Sequence, residues 1–137
     1  LFFEILRTYY KTYKYSNASI SDFKYVSEKV SGKNLDKYFE QWVYGKGQIE
    51  IEYKTETVKS GEDFLIRIQL EQVQEEYEEY HFPLDIKISF KDSTEKKYRY
   101  EIASKDTMLE ISATARPESI QLDPDNWLLA VITSEDE

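Results

Sequence analysis

The side chains able to do chemistry in this 137-residue sequence are few and poorly grouped. His81 is the single histidine, set between Tyr80 and Phe82-Pro83 at the head of an alternating apolar run. A lone imidazole can titrate near neutral pH or give one ligand to a shared metal; the position favours an ordinary strand-edge histidine. There is no cysteine, which excludes thiolate metal sites and disulfides. No serine stands in a G-x-S-x-G turn, so the common nucleophile signatures fail. The carboxylates Glu75, Glu76, Glu78 and Glu79 suggest calcium, but no glycine lets that stretch turn sharply enough to converge its ligands, and a solvated acidic loop is the better reading. Asp123-Pro124-Asp125-Asn126 opens like an EF-hand loop. It then places Leu128 at the glycine position and Ser134 at the bidentate glutamate position, so it reads as a turn. Asn17-Ala18-Ser19 satisfies the N-glycosylation pattern, although the same residues serve as a helix cap. Tyr77 and Tyr80 are candidates for an exposed platform binding carbohydrate or peptide. No residue is assigned a catalytic, cofactor-binding or metal-ligating role.

The elements that would position these groups change type part-way along the chain. Residues 1–14 read as a helix with Phe2, Leu6, Tyr9 and Tyr13 at heptad-like spacing, widened by Phe3, Ile5 and Tyr10. A helix apolar around so much of its girth is buried on several sides. Three short helices cannot wrap it, so either a neighbour outside this sequence covers it or the rest of the chain does. Ser19 and Asp22 have capping-box spacing ahead of Ile20, Phe23, Val26 and Val30 on one helical face, and Ser31-Gly32 ends that helix. Asn34 opens a third, with Leu35, Tyr38, Phe39 and Trp42 on one face and Gly45 and Gly47 at its close.

From Gln48 onward the period is two. Runs centred on Ile49–Tyr53, Phe64–Leu70, Phe82–Phe90, Tyr98–Ile102, Leu109–Ala113, Ile120–Leu122 and Leu128–Ile132 alternate or are continuously apolar. Gln72 to Glu79 is polar and reads as a loop or strand end, and Arg116-Pro117-Glu118 as a break. The expected fold is α+β: about three helices, then an antiparallel, immunoglobulin-like β-sandwich of about seven short strands. The expected domains are 1–45 and 46–137.

Charge divides at the same place. Residues 1–47 hold eight basic and five acidic side chains, net +3, whereas residues 48–137 hold ten and twenty-two, net −12. So acidic a β half repels phosphate backbones and anionic lipid, which argues against nucleic acid or a membrane surface as partner. No run is long enough to span a membrane. The sequence starts at Leu1 inside an apolar helical pattern, which suggests a fragment whose natural start lies upstream, while the acidic tail after Ile132 hints at a true C-terminus.

Asn17-Ala18, Asp22-Phe23, Ser31-Gly32, Leu35, Tyr38-Phe39, Gln41-Trp42 and Gly45, together with the preceding FFEILRTYYKTYKYSN, resemble a segment of the aminopeptidase N (membrane alanyl aminopeptidase) family of zinc metallopeptidases. The likeness covers the first third of the chain; the strands that follow agree in pattern only. Gln48 departs from it, since the family commonly carries proline there. The resemblance implies that 1–45 is the helical tail of a thermolysin-like catalytic domain and 46–137 the β-sandwich domain behind it. It also implies a parent hydrolase that removes N-terminal residues from peptides with zinc held by H-E-x-x-H and a downstream glutamate. One histidine cannot supply that zinc site, and the family's G-x-M-E-N motif is absent, Met108 being followed by Leu109. The catalytic residues would then lie upstream, this chain would be inactive with no cofactor of its own, and its role would be structural and domain-bridging. Its partners would be the upstream catalytic domain and the parent's peptide substrates. The alternative is a stand-alone β-sandwich binding or adhesion module with a helical lead-in. A severed tail would expose Phe2, Phe3, Leu6, Phe39 and Trp42 and self-associate through its helices; a self-contained module would cover them.

Overall fold

Ser19 starts the second helix by exchanging hydrogen bonds with Asp22. The Ser19 Oγ accepts from the Asp22 N–H at 3.2 Å and the Asp22 Oδ2 accepts from the Ser19 N–H at 2.8 Å, so two backbone donors at the helix end are satisfied. The computed structural model describes residues 1–77 and 79–135. Glu78 in the acidic stretch, and Asp136 and Glu137 in the tail, lie outside the described residues. The chain divides into two compact units, Leu1–Lys46 and Gly47–Glu137.

The first unit contains α1 (Phe2–Tyr13), α2 (Ile20–Ser31), a single α-turn α3 (Asp36–Phe39), and a π-helical turn, Glu40–Tyr44. Tyr9 of α1 meets Phe23 of α2 edge-on at 5.1 Å, and Phe23 in turn lies 6.4 Å from Phe39. The Tyr13 hydroxyl donates to Asp22 Oδ1, tying α1 to the α2 cap. The covered stripe of α1 therefore runs through Ile5, Tyr9 and Tyr13. The sequence reading put Phe2 and Leu6 on that stripe, but both are exposed, Phe2 at 61% and Leu6 at 38%. Phe39 is buried and Trp42 is partly covered, so the five residues proposed as one apolar patch divide between the two conditions.

Gly32 adopts φ +69° and ends α2 by donating its N–H to the Glu28 carbonyl. Asn34 opens the next turn by accepting from the Asp36 N–H at 2.9 Å. The expected third helix is present but short. After four residues the helix widens to π geometry, which adds a residue per turn, turns Gln41 into a buried position and leaves Tyr38 exposed. A β-carbon at Gly45 would stand 2.7 Å from the Gln41 carbonyl oxygen, so only glycine lets the chain leave this turn.

The second unit is two sheets. β1 (Ile49–Ser60), β2 (Asp63–Gln72), β5 (Asp106–Ala113) and β7 (Ala130–Ser134) form one, in the order β5-β2-β1-β7; β3 (Phe82–Phe90), β4 (Glu95–Ile102) and β6 (Pro117–Leu122) form the other, β4-β3-β6. Alternation buries Ile49 and Ile51, Ile66, Ile68 and Leu70, Leu109 and Ile111, and on β3 Phe82, Leu84, Ile86, Ile88 and Phe90. The result is an α+β protein with a sandwich-like second unit.

Three details differ from the sequence reading. The β1–β7 pair is parallel, Ile51 standing opposite Ile132, while the other four pairs are antiparallel. The immunoglobulin arrangement is also departed from twice. Its constant form joins the fourth strand to the first, second and fifth, and the seventh to the third and sixth; here β4 lies beside β3 and β7 beside β1. Finally, Pro117 begins β6 instead of breaking a strand. The first residue of an edge strand tolerates proline, and a register shift at Ser89/Phe90 accommodates it opposite Phe90.

Replacing Gly45 with alanine is expected to cost about 1–3 kcal/mol, because the clash is with backbone and no flexible side chain can yield. Urea unfolding of Gly45→Ala beside the parent chain measures it; an unchanged midpoint would mean that the π-turn relaxes freely.

Candidate functional site

Gln72 is the most heavily committed polar side chain of the second unit. It continues the even-numbered inward positions of β2 after Ile66, Ile68 and Leu70, and it is 2% exposed. Its Nε2 donates to the Tyr80 carbonyl at 2.9 Å and to the Ser104 carbonyl at 3.1 Å, while its Oε1 accepts from the Tyr80 N–H at 2.7 Å. Gln74 extends the network. Its Nε2 donates to Gln72 Oε1 and to the Tyr77 carbonyl, both at 3.1 Å, and its Oε1 accepts from the Glu50 N–H at 3.3 Å. Two glutamines thus hold the connection from β2 to β3 against β1 and against the turn from β4 to β5. The polarity of Gln72–Glu79 hides this role in the sequence. The parity of the preceding apolar residues is the signal that reveals it.

The residues singled out for chemistry fall around this network without forming a reaction centre. His81 is partly covered, with Nε2 3.1 Å from Glu79 Oε1, a carboxylate only two residues away. Glu75 and Glu76 are exposed and border an open concavity of about 650 Å³ with Gly47, Gln48, Glu50 and Leu129. Tyr80 is buried, contrary to its reading as an exposed platform, because its backbone is drawn in by Gln72 and its ring packs 4.6 Å from Tyr77. Burial pushes its hydroxyl pKa up. Among the described residues no three His, Cys, Asp or Glu side chains come together to hold a metal ion.

Asp123-Pro124-Asp125-Asn126 is a turn. The buried Asp123 carboxylate accepts from the N–H groups of Trp127 and Leu128, both at 2.9 Å, and its own N–H donates to the Asp85 carbonyl. Leu128, expected inside the last strand, is held in this turn, so β7 starts at Ala130. Ser19 of the glycosylation-like triplet has its hydroxyl engaged by Asp22.

Charged side chains on the strands pair with one another. Arg99 grips Asp85 with both oxygens engaged, Nε–Oδ1 2.6 Å and Nη2–Oδ2 2.7 Å, across the β3–β4 ladder. The guanidinium holds the Asp85 carboxyl below the usual aspartate range. Arg67 lies between Glu110, at 3.0 Å, and Glu56, at 3.6 Å, spanning β5, β2 and β1. These arrangements can fasten strands and line docking surfaces. They hold no nucleophile–base pair.

No protein-family model matches the sequence, and no curated protein matches it. Solved structures do. The crystal structure of Legionella pneumophila aminopeptidase A in complex with aspartic acid overlays 95% of this chain at a TM-score of 0.72 and 15% identity; the chain spans 15% of that structure's length. IrmA from Escherichia coli overlays 66% of this chain and 94% of its own at a TM-score of 0.44 and 12% identity, too loose a match to carry argument. At 15% identity the first likeness speaks to fold alone.

Gln72→Ala is expected to destabilise the protein by about 1–3 kcal/mol, since the Tyr80 N–H and two carbonyls lose their partner in a buried place. Gln72→Glu should be worse, because it sets carboxylate oxygen against the Tyr80 and Ser104 carbonyls. Thermal unfolding of both variants decides; a Glu variant as stable as the parent would show that the amide's donors are dispensable. For Asp85, the folded pKa lies below the unfolded value of about 3.9, so its contribution is present above that pH and is lost as pH falls through the folded pKa. The gap in thermal midpoint between the parent chain and Asp85→Asn should therefore be small, present at neutral pH and shrinking below about pH 4. A pH-independent gap would rule out the ion pair as its source.

Proposed function

We propose that this chain is a non-catalytic, structural part of a larger zinc-dependent aminopeptidase, in which residues 1–45 end a thermolysin-like catalytic domain and residues 46–137 are the β-sandwich domain after it. The observation that carries this reading is the overlay of 95% of the chain, both units included, on part of an aminopeptidase structure. The helix and cap residues of the first third, which resemble the aminopeptidase N family, support it independently. So does the exposed apolar side of α1, where Leu1, Phe2, Phe3 and Leu6 stand ready for a neighbour. The parent would hydrolyse N-terminal peptide bonds with zinc-activated water. This part would complete the helical layer of the catalytic domain and join it to the sandwich. The zinc ligands and the general base would come from the preceding polypeptide, since one histidine cannot form the two-histidine site.

The competing reading is a free-standing binding or adhesion module, which the two-sheet second unit also fits, since sandwiches host many unrelated functions. The two separate on one genetic and one physical measurement. The reading frame upstream of the Leu1 codon should encode H-E-x-x-H with a glutamate roughly eighteen residues later; a frame without it sinks the aminopeptidase proposal. The isolated chain should cleave no aminoacyl substrate and should dimerise with rising concentration in sedimentation, an association that Phe2→Ser with Phe3→Ser removes. A chain that stays monomeric at high concentration would favour the module.

A further inference from the structure

The uncovered side of α1 is basic as well as apolar. With Ile5, Tyr9 and Tyr13 on the covered stripe, Phe3, Leu6 and Tyr10, spaced by three and four, share an exposed one, where Phe3 and Tyr10 are 69% and 68% exposed. Phe2 meets Phe3 edge-on at 5.8 Å and widens it. Arg7, Lys11 and Lys14, at the same spacing, run along the flank of that stripe and are exposed, while Glu4 is the one acid of the helix. The outer side of α1 therefore offers apolar surface beside three positive charges.

The second unit carries the opposite combination. The turn from β6 to β7 holds Asp123 at φ +44° and Asn126 at φ +52°, and the buried Asp123 carboxylate pins the Trp127 and Leu128 amides. On that fixed frame Trp127 is 80% and Leu129 71% exposed. Leu129 also borders the concavity of about 650 Å³ that Val73, Glu50, Glu75 and Glu76 line, with no lysine or arginine among its lining residues. An exposed indole and leucine held in place lose little freedom when a partner covers them, which is what makes such side chains effective anchors.

We propose that α1 of one copy docks on the Trp127–Leu129 patch of a second copy, head to tail. The apolar stripe of the helix covers the indole and Leu129, and Arg7, Lys11 and Lys14 meet the side of Glu50, Glu75 and Glu76. Charge selects this pairing. Residues 1–47 carry a net +3 and residues 48–137 a net −12. Two helical units therefore repel weakly and two β units strongly, and only a helical unit meeting a β unit is attracted. A contact of α1 with a second α1 would cover the same phenylalanines but put another basic helix where the patch offers carboxylates. The proposal rests on the self-association expected of the isolated chain above, and it names the surface that receives the helix.

Sedimentation of the full chain tests it with two charge-reversed variants, Arg7→Glu with Lys11→Glu and Glu75→Lys with Glu76→Lys, all at exposed positions. Each variant alone should associate about tenfold or more weakly than the parent chain and keep a thermal midpoint near that of the parent. An equimolar mixture of the two should recover a 1:1 complex, because each supplies the surface the other lacks. Trp127→Ala should weaken association to a similar degree, and added salt should loosen the parent. If the Glu75→Lys, Glu76→Lys chain or the Trp127→Ala chain associates as tightly as the parent, the patch is not the receiver and the proposal is overturned, while self-association through α1 stands. A mixture no tighter than its components, or an association indifferent to salt, would overturn it as well. A parent chain that stays monomeric at high concentration would remove both.

Discussion

The carboxamide of Gln72 is the interaction on which the second unit most depends. A two-sheet fold needs the chain to cross between sheets, and each crossing takes polar backbone past the end of an apolar core. Gln72 meets two of these crossings at once, bonding Tyr80 where β2 passes to β3 and Ser104 where β4 passes back to β5. A third crossing, from β6 to β7, has its own buried anchor in Asp123, which binds the Trp127 and Leu128 amides while its N–H holds the Asp85 carbonyl of β3. Among the described residues no buried side-chain nitrogen or oxygen lacks a partner. Satisfied networks of this kind single out one arrangement, because any other connection would strand polar groups away from water.

With the crossings fastened, the alternating strands can pack. β3 contributes five buried side chains and pairs on both sides, with β4 and with β6, so it is the axis of its sheet. Outward-facing charges pair across strands: Asp85 with Arg99, and Arg67 between Glu56 and Glu110. Exposed pairs of this sort add little stability, but they occupy much of the scarce positive charge of an acidic unit. Glu50, Glu75 and Glu76 line a concavity that has no lysine or arginine among its lining residues.

The first unit is governed by apolar surface. Its aromatic chain Tyr9–Phe23–Phe39 covers one side of α1, while Phe2 and Phe3 on the other side stay in contact with solvent. Exposed phenylalanines beside an uncovered leucine are costly for a free protein and natural for one that meets a neighbour.

Local chemistry by itself determined most of the elements. The Ser19–Asp22 box, the Gly32 stop and the strict alternation of Phe82–Phe90 are short-range rules that act within a few residues, so the first two helices and most strands could be read directly. The Asp-Pro turn was legible for the same reason, since it depends on neighbouring backbone. Tertiary structure decided what short-range rules do not reach. Strand order and the parallel β1–β7 pair depend on which edges meet after about eighty intervening residues. The π-turn at Glu40–Tyr44 and the burial of Tyr80 arise because packing and a buried amide outweigh local preference. Whether Phe2 and Leu6 or Ile5 and Tyr9 face inward is also set by partners, because a helix apolar on nearly every side offers several stripes and only the neighbour that docks first selects one.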